Sequence, residues 1–346
     1  MSKMDGPSIF TKWTQLRKIG GGSFGDVYKA RREGITDETW FAVKVAKKAG
    51  KQNELLLQEI DIHSRLTHVD IVRYVNSFEI RICGGSSIVQ VPTGMGACVA
   101  LVLELLPGKN VEQMIKVEGH LSETLVRRLA KQMTSALSYL KEQGIVHADI
   151  KPANILTDGE TNFKLADFGL ATEVGKESIG KLGTPYYMTP EMLSQSKAPY
   201  VSVHEMDIWA LGVTIFFAFH GELPWLTKGS LHDLIKEVNS GHLHRQGMAD
   251  EPEDLTEFIA GCLAKDPAQR FTPLDCMESA FLTNPKRKSP EGMSEEVRFA
   301  SDLTEFGEGS RDEFYYWLAR KYATQAGMPL VRFNELYDSL TVKLSE

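Results

Sequence analysis

Two nearby runs decide how this chain reads: IVHADIKPANIL at residues 145–156 and KLADFGL at residues 164–170. Asp149, Lys151, Asn154 and Asp167 stand in them among Ile, Val, Leu and Phe. Any one of the four is compatible with a turn, because Asp and Asn bond their own backbone. As a set they fit that explanation poorly, and two carboxylates, an amide and an ammonium between apolar runs indicate a chemical site.

Working outward towards the N-terminus, IGGGSFGDV (19–27) fits G-x-G-x-x-G through Gly20, Gly22 and Gly25. Alone the pattern is weak, since dinucleotide-binding folds also use it. A dinucleotide fingerprint has to open a helix. Here VYKARR (27–32) and WFAVKV (40–45) follow, and both read as strands. A glycine hairpin closing over a nucleotide is the better reading. Lys44 lies within the second strand, where an unpaired charge is costly to bury. It therefore calls for anions: nucleotide phosphates, and Glu59 from the next helix. A snorkelling lysine on an edge strand is the alternative.

That helix is expected over 51–66, with Leu55, Ile62 and Leu66 on one face and Glu54, Gln58, Asp61 and Arg65 on the other. Glu59 falls on the inward face. Glu54 competes for Lys44 but sits on the polar side. The first third is otherwise strand-rich, with β-branched runs at 41–45, 71–75 and 99–103. CGGSSIVQVPTGMGA (83–97) reads as a long hairpin loop. From about 107 helices dominate. LSETLVRRLAKQMTSALSYLKEQG (121–144) opens on Ser122 as N-cap, carries Leu125, Leu129, Met133, Leu137 and Leu140, and stops at Gly144.

Composition narrows the function classes. The chain has 346 residues, 42% hydrophobic and 25% charged, which disfavours a disordered chain or a fibre. It carries 46 acidic against 39 basic residues, a formal net charge of −7, opposite to the footprint of a nucleic-acid binder. The longest strongly apolar run, Ile208 to Phe219, is too short for a membrane span and reads as a buried helix. Cys83, Cys98, Cys262 and Cys276 lack metal-ligand spacing, so reduced cysteines and an intracellular location are expected: cytoplasmic, with the nucleus also open. Neither nucleic acid nor membrane is an expected partner.

Taken together, these runs resemble the eukaryotic protein kinases. Asp149 and Asn154 match H-R-D-x-x-x-x-N, Asp167-Phe168-Gly169 matches D-F-G, and Ala42-Val43-Lys44 matches the lysine strand, all in the expected order. Further on, GTPYYMTPE (183–191) is similar to the substrate-binding segment, DIWALG (207–212) to the central helix, and Arg270 to the arginine that pairs with the Glu at 191. The resemblance covers about 13–282. It implies an α+β, two-lobed fold: a small antiparallel β lobe with one helix, and a larger helical lobe. It also implies ATP and Mg2+ as cofactors and transfer of the γ-phosphate to protein hydroxyls in intracellular signalling. By the same resemblance Asp149, Lys151, Lys44 and Glu59 are the catalytic set and Asn154 and Asp167 the metal ligands. Ile19, Gly20, Gly21, Gly22, Ser23, Phe24, Gly25, Asp26, Val27, Ala42, Lys44, Leu103 and Glu104 would line the nucleotide. A pseudokinase scaffold is the rival from another class, disfavoured because Lys44, Glu59, Asp149, Asn154 and Asp167 are all present.

Lys151 and Thr184 point to serine/threonine rather than tyrosine as acceptor. GTPYYMTPEM looks most like the NIMA-related kinases and the mitogen-activated kinase kinase kinases. Three departures stand out: Ala148 for the Arg of H-R-D, Thr189 for the Ala of A-P-E, and His63, four after Glu59, where the family usually has an aliphatic residue. His63 is expected to be a satisfied, partly buried histidine. Around the kinase region, 1–12 reads as an N-terminal extension and 283–313 as a polar acidic linker, with eight acidic and two basic residues over 291–313. Residues 314–346 read as a helical tail striped by Phe314, Leu318 and Tyr322. The tail is expected to dock a partner or regulate the kinase while remaining dispensable for its chemistry.

Overall fold

The β-branched runs build a barrel before any helix is needed. In the computed structural model, β1 (Lys12–Gly22), β2 (Gly25–Arg32), β3 (Phe41–Val45), β4 (Tyr74–Cys83), β5 (Ser87–Gln90) and β6 (Cys98–Glu104) close in the order β1-β2-β3-β6-β4-β5. Each named pairing is antiparallel. Residues 12–283 are described, apart from 23–24, 35–38, 47–49, 84–86, 92–93, 95–97, 160, 176, 179–183, 195–199, 202, 226, 228–229 and 245–250. The chain divides into units 1–284 and 285–346, and the linker and tail expected beyond 283 lie outside the described residues.

Period-2 alternation explains β6, which is buried on both faces. Ala100 and Val102 enter the barrel beside Trp13, Val43, Val45 and Phe78. Val99 and Leu101 face the other way and pack with Leu56 of helix α1 (Lys51–His63). The stretch 83–97 is not a plain loop: its Ser87–Gln90 portion is β5, which pairs with β4 and β1 and closes the barrel. Four residues between glycine-rich and proline-containing neighbours carry too little periodicity to announce a strand. Helix α1 ends three residues earlier than expected, and Leu56 rather than Leu55 is its fully buried leucine.

The larger lobe is organised by α3 (Glu123–Glu142), which follows α2 (Val111–Glu118). Ser122 caps α3 by accepting the Leu125 N–H, and Leu129, Met133, Leu137 and Leu140 are buried as the pattern requires. After it come β7 (Ile145–Val146), β8 (Ile155–Thr157), β9 (Phe163–Leu165), β10 (Thr172–Glu173), β11 (Glu177–Ser178), α4 (Pro190–Ser194) and β12 (Tyr200–Val201). Helix α5 (His204–His220) is buried almost all round, as its unbroken apolar run demands. It shares one core with α3, α7 (Glu253–Cys262) and α9 (Ala280–Thr283), while α6 (Leu231–Ser240) and α8 (Pro273–Glu278) complete the lobe. Fully buried Phe216, Phe258 and Phe281 each contribute roughly 1.5–3 kcal/mol by leaving water. No helix of the described residues is long and apolar enough to cross a membrane.

Candidate active site

Alternation along β3 sets the first part of the site. Val43 and Val45 enter the barrel, so Lys44 between them points to helix α1. Its Nζ donates to both Glu59 carboxylate oxygens, at 2.9 and 2.7 Å, and to Asp167 Oδ1 at 2.7 Å. The helical period explains the choice of Glu59: it shares the buried stripe with Leu56, Ile62 and His63, while Glu54 is exposed. Burial works against the Lys44 ammonium, but the two facing carboxylates outweigh it and hold its pKa above the ordinary 10.5. Partial burial raises Asp167, yet Lys44 pulls harder and keeps it below the usual carboxylate value. Glu59 is pushed up to about 7 because its burial exceeds the pull of Lys44.

The second part is the loop from His147 to Asn154. Asp207, near the start of α5, holds this loop by its backbone: Oδ2 accepts the His147 N–H at 2.7 Å and Oδ1 the Ala148 N–H at 2.8 Å. Ala148 has φ 63°, a left-handed conformation that costs a residue with a Cβ about 1–2 kcal/mol. Charge-assisted bonds from a buried carboxylate offset that strain. Full burial raises the Asp207 pKa, against His147 and its two N–H donors. The His147 ring is fixed as well, with Nδ1 accepting the Asp149 N–H at 3.2 Å and Nε2 3.1 Å from the Ala166 carbonyl oxygen.

Asp149 is thereby aimed. Its Oδ2 accepts from Lys151 Nζ at 2.7 Å and from Asn154 Nδ2 at 2.8 Å, and the same amide nitrogen donates to the Asp149 carbonyl at 2.9 Å. Neither donor takes Oδ1, which remains for an incoming hydroxyl. Lys151 also donates to Thr184 Oγ1 at 3.1 Å, tying the loop to the following segment. Thr189 is completely buried and N-caps α4 by accepting the Met192 N–H at 3.3 Å, which gives the departure from Ala a structural role.

On the nucleotide side, Gly22 pairs with Gly25, Gly21 with Asp26 and Gly20 with Val27, so the glycines form a hairpin and open no helix. A Cβ on Gly25, at φ 153°, would collide with the Val45 carbonyl oxygen. Ile19 is exposed, and Ala42 pairs with Leu103 across β3 and β6. Ser23 and Phe24 lie outside the described residues. The Glu104 Oε1 accepts from Lys164 Nζ at 2.6 Å and from the Arg73 N–H at 2.7 Å, and the Glu104 N–H donates to Arg73 O at 3.0 Å.

Among the described residues no three His, Cys, Asp or Glu side chains gather into a metal cage. Magnesium requires none, since it takes one or two protein oxygens and completes its octahedron with phosphate oxygens and water. The Asp167 carboxylate, of which Lys44 takes one oxygen, and Asn154 Oδ1, left over while Nδ2 serves Asp149, suit that donor set.

Sequence reasoning gave no role to Asp207 or Lys164. The signal for Asp207 was a carboxylate bordering a long apolar run, since a buried charge must have donors. Lys164 carried no such signal.

Residues 13–282 match the protein kinase domain family. The chain is 31% identical to the mitogen-activated protein kinase kinase kinase YODA of Arabidopsis thaliana, over 79% of this chain and 30% of that protein. It is 32% identical to the cytokinesis protein sepH of Aspergillus terreus, over 85% of this chain and 20% of the relative. The serine/threonine-protein kinase fused of Drosophila melanogaster is 32% identical over 73% of this chain and 29% of its own length. The chain thus spans under a third of the length of each of these relatives. The family match, the bilobal fold and the paired Lys44–Glu59–Asp167 and Lys151–Asp149–Asn154 contacts lead to one assignment: the chain belongs to the protein kinase domain family.

Proposed function

We propose that this protein uses ATP and magnesium to phosphorylate serine and threonine hydroxyls of protein substrates in intracellular signalling. The observation that carries the proposal is the Asp149 carboxylate, held through Oδ2 by Lys151 and Asn154 with Oδ1 turned to neither. In the reaction, Oδ1 accepts the hydrogen bond of the substrate hydroxyl, orients it, and takes its proton as the new O–P bond forms and the bond to the departing ADP breaks. Lys151 stabilises the charge of the transferred group, and Lys44, steadied by Glu59, holds the phosphates. Asp167 and Asn154 would hold magnesium, which would supply neutralisation of the phosphate charge. The location we assign is cytoplasmic, with the nucleus also accessible, and the tail beyond residue 283 is assigned a docking or regulatory part.

Leu170 follows Asp-Phe-Gly directly, and a bulky residue there accompanies serine preference by resemblance to the family. Matched peptides differing only at the acceptor, offered with magnesium and labelled ATP, test both the activity and the preference. Serine should turn over faster. Faster turnover of threonine would reverse the acceptor assignment, and no label above the Asp149→Asn background across a broad peptide library would favour the scaffold reading.

Activity should also depend little on phosphorylation between about Leu170 and Thr189. A phosphate there gains order from a cationic cluster, but Ala148, Thr172 and Leu55 occupy the expected receiving positions and carry no charge. Backbone pairing does part of that ordering: β10 pairs with β7, the Val174 N–H bonds Gly144 O at 2.9 Å, and Arg65 reaches Glu173 at 3.6 Å. Dephosphorylated wild type, Ser178→Ala and Thr172→Ala should agree within tenfold on one peptide, a span of about 1.4 kcal/mol. A larger loss would show that a phosphate orders the segment.

A further inference from the structure

His63 is fully buried in the apolar stripe of α1, one turn after Glu59. Its Nε2 lies 2.6 Å from the Val72 carbonyl oxygen, so the neutral ring donates from Nε2. Nδ1 is then an acceptor, and it is buried without a hydrogen-bond partner among the described residues. A leucine or methionine would fill the same stripe with no orphaned nitrogen. The imidazole therefore carries a local cost, and what it gains is a specific bond. That bond continues beyond Val72, whose N–H donates to Leu165 O at 2.9 Å, while the Leu165 N–H donates to Asp70 O at 2.8 Å. Leu165 ends β9, two residues before Asp167. The ring also lies against Phe168, with centroids 4.6 Å apart. One side chain thus joins the helix that carries Glu59 to the strand that delivers Asp167, through the Val72 peptide and through a ring contact.

We propose that His63 is a positioning residue for phosphoryl transfer: its hydrogen bond to Val72 ties α1 to β9 and keeps Glu59 and Asp167 both on Lys44. The proposal rests on the kinase reading for its effect on turnover, but the tether can be read without turnover. His63→Leu keeps the volume and removes the donor. His63→Gln places an amide nitrogen near the position of Nε2, and His63→Asn carries the same group one methylene short.

The experiment compares the full chain and these variants in kcat, KM for ATP, thermal midpoint and amide hydrogen exchange over 163–168. With His63→Leu, kcat should fall at least tenfold while KM changes less than threefold, the midpoint should hold or rise, and exchange over 163–168 should quicken. His63→Gln should recover kcat to within threefold of wild type and restore protection, and His63→Asn should not. Wild-type turnover by His63→Leu, or equal impairment of the Gln and Asn variants, would overturn the proposal. Should His63→Leu fail to fold, the Gln and Asn pair decides the question alone. A wild type that transfers no phosphate would count against the kinase reading, and unchanged exchange in His63→Leu would count against the tether.

Discussion

Asp149→Asn is expected to lower kcat on a peptide substrate by about 10²–10⁴-fold, the usual worth of a general base, with the fold intact. An amide oxygen can still accept from Lys151 and Asn154, and the Asn154 bond to the residue-149 backbone carbonyl is untouched. What is lost is the capacity to take a proton through Oδ1. Because the interaction matters chiefly in the transition state, kcat should fall with little change in KM. Asp167→Asn should cost a similar amount by another route. It removes a metal-binding carboxylate and one of the two anions facing Lys44, so affinity for the magnesium–nucleotide complex should fall together with kcat. Steady-state kinetics, nucleotide titration with and without magnesium, and thermal midpoints separate the two cases. Equal turnover by wild type and Asp149→Asn would remove the proton-acceptor role.

Much of this site was legible because each requirement leaves a local trace. A lysine between valines in a strand needs anions, and a glutamate on the apolar stripe of the next helix can supply one. Lys44 and Glu59 could be paired on that logic, and they are in contact. The catalytic loop was legible as a set of residue types, yet not what holds it. Asp207 lies 58 positions beyond Asp149 in the sequence, and only the packing of α5 under β7 brings its carboxylate to the His147 and Ala148 amides. The same blindness to long-range pairing hid β5, whose partners β1 and β4 come from separate stretches. The Glu104–Lys164 contact was hidden in the same way, since no spacing rule connects the two residues. His63 reads as satisfied and partly buried on the general ground that a lone helical histidine near a core face usually is; it is fully buried, and its Nδ1 has no partner among the described residues.

Arg270→Leu should be the most destabilising single change in the larger lobe, by about 3–5 kcal/mol, the range for removing one member of a buried ion pair. The Arg270 side chain is completely buried and its guanidinium is used in full. Nη1 and Nη2 meet the two Glu191 oxygens at 2.8 and 3.1 Å, Nε meets Ala264 O at 3.0 Å, and Nη1 meets Glu205 O at 3.1 Å. The guanidinium also stands 5.1 Å from the centre of the Trp209 ring. Leucine leaves a carboxylate and the carbonyls of Ala264, Glu205 and Lys265 without these donors. Because the Glu191 side chain is one-third exposed, water recovers part of its loss and places the effect near the lower end of the range. Arg270→Lys keeps the charge but cannot reproduce the planar fork, so it should fall between wild type and leucine. Glu191→Gln, which still offers an acceptor, should cost less than Arg270→Leu. Since Glu191 is the second residue of α4, directly after the Thr184–Thr189 segment, both Arg270 variants should raise KM for peptide more than KM for ATP. Denaturant unfolding of the four proteins checks the order. A lysine variant as stable as wild type would show that charge alone, without the fork, holds α4 in place.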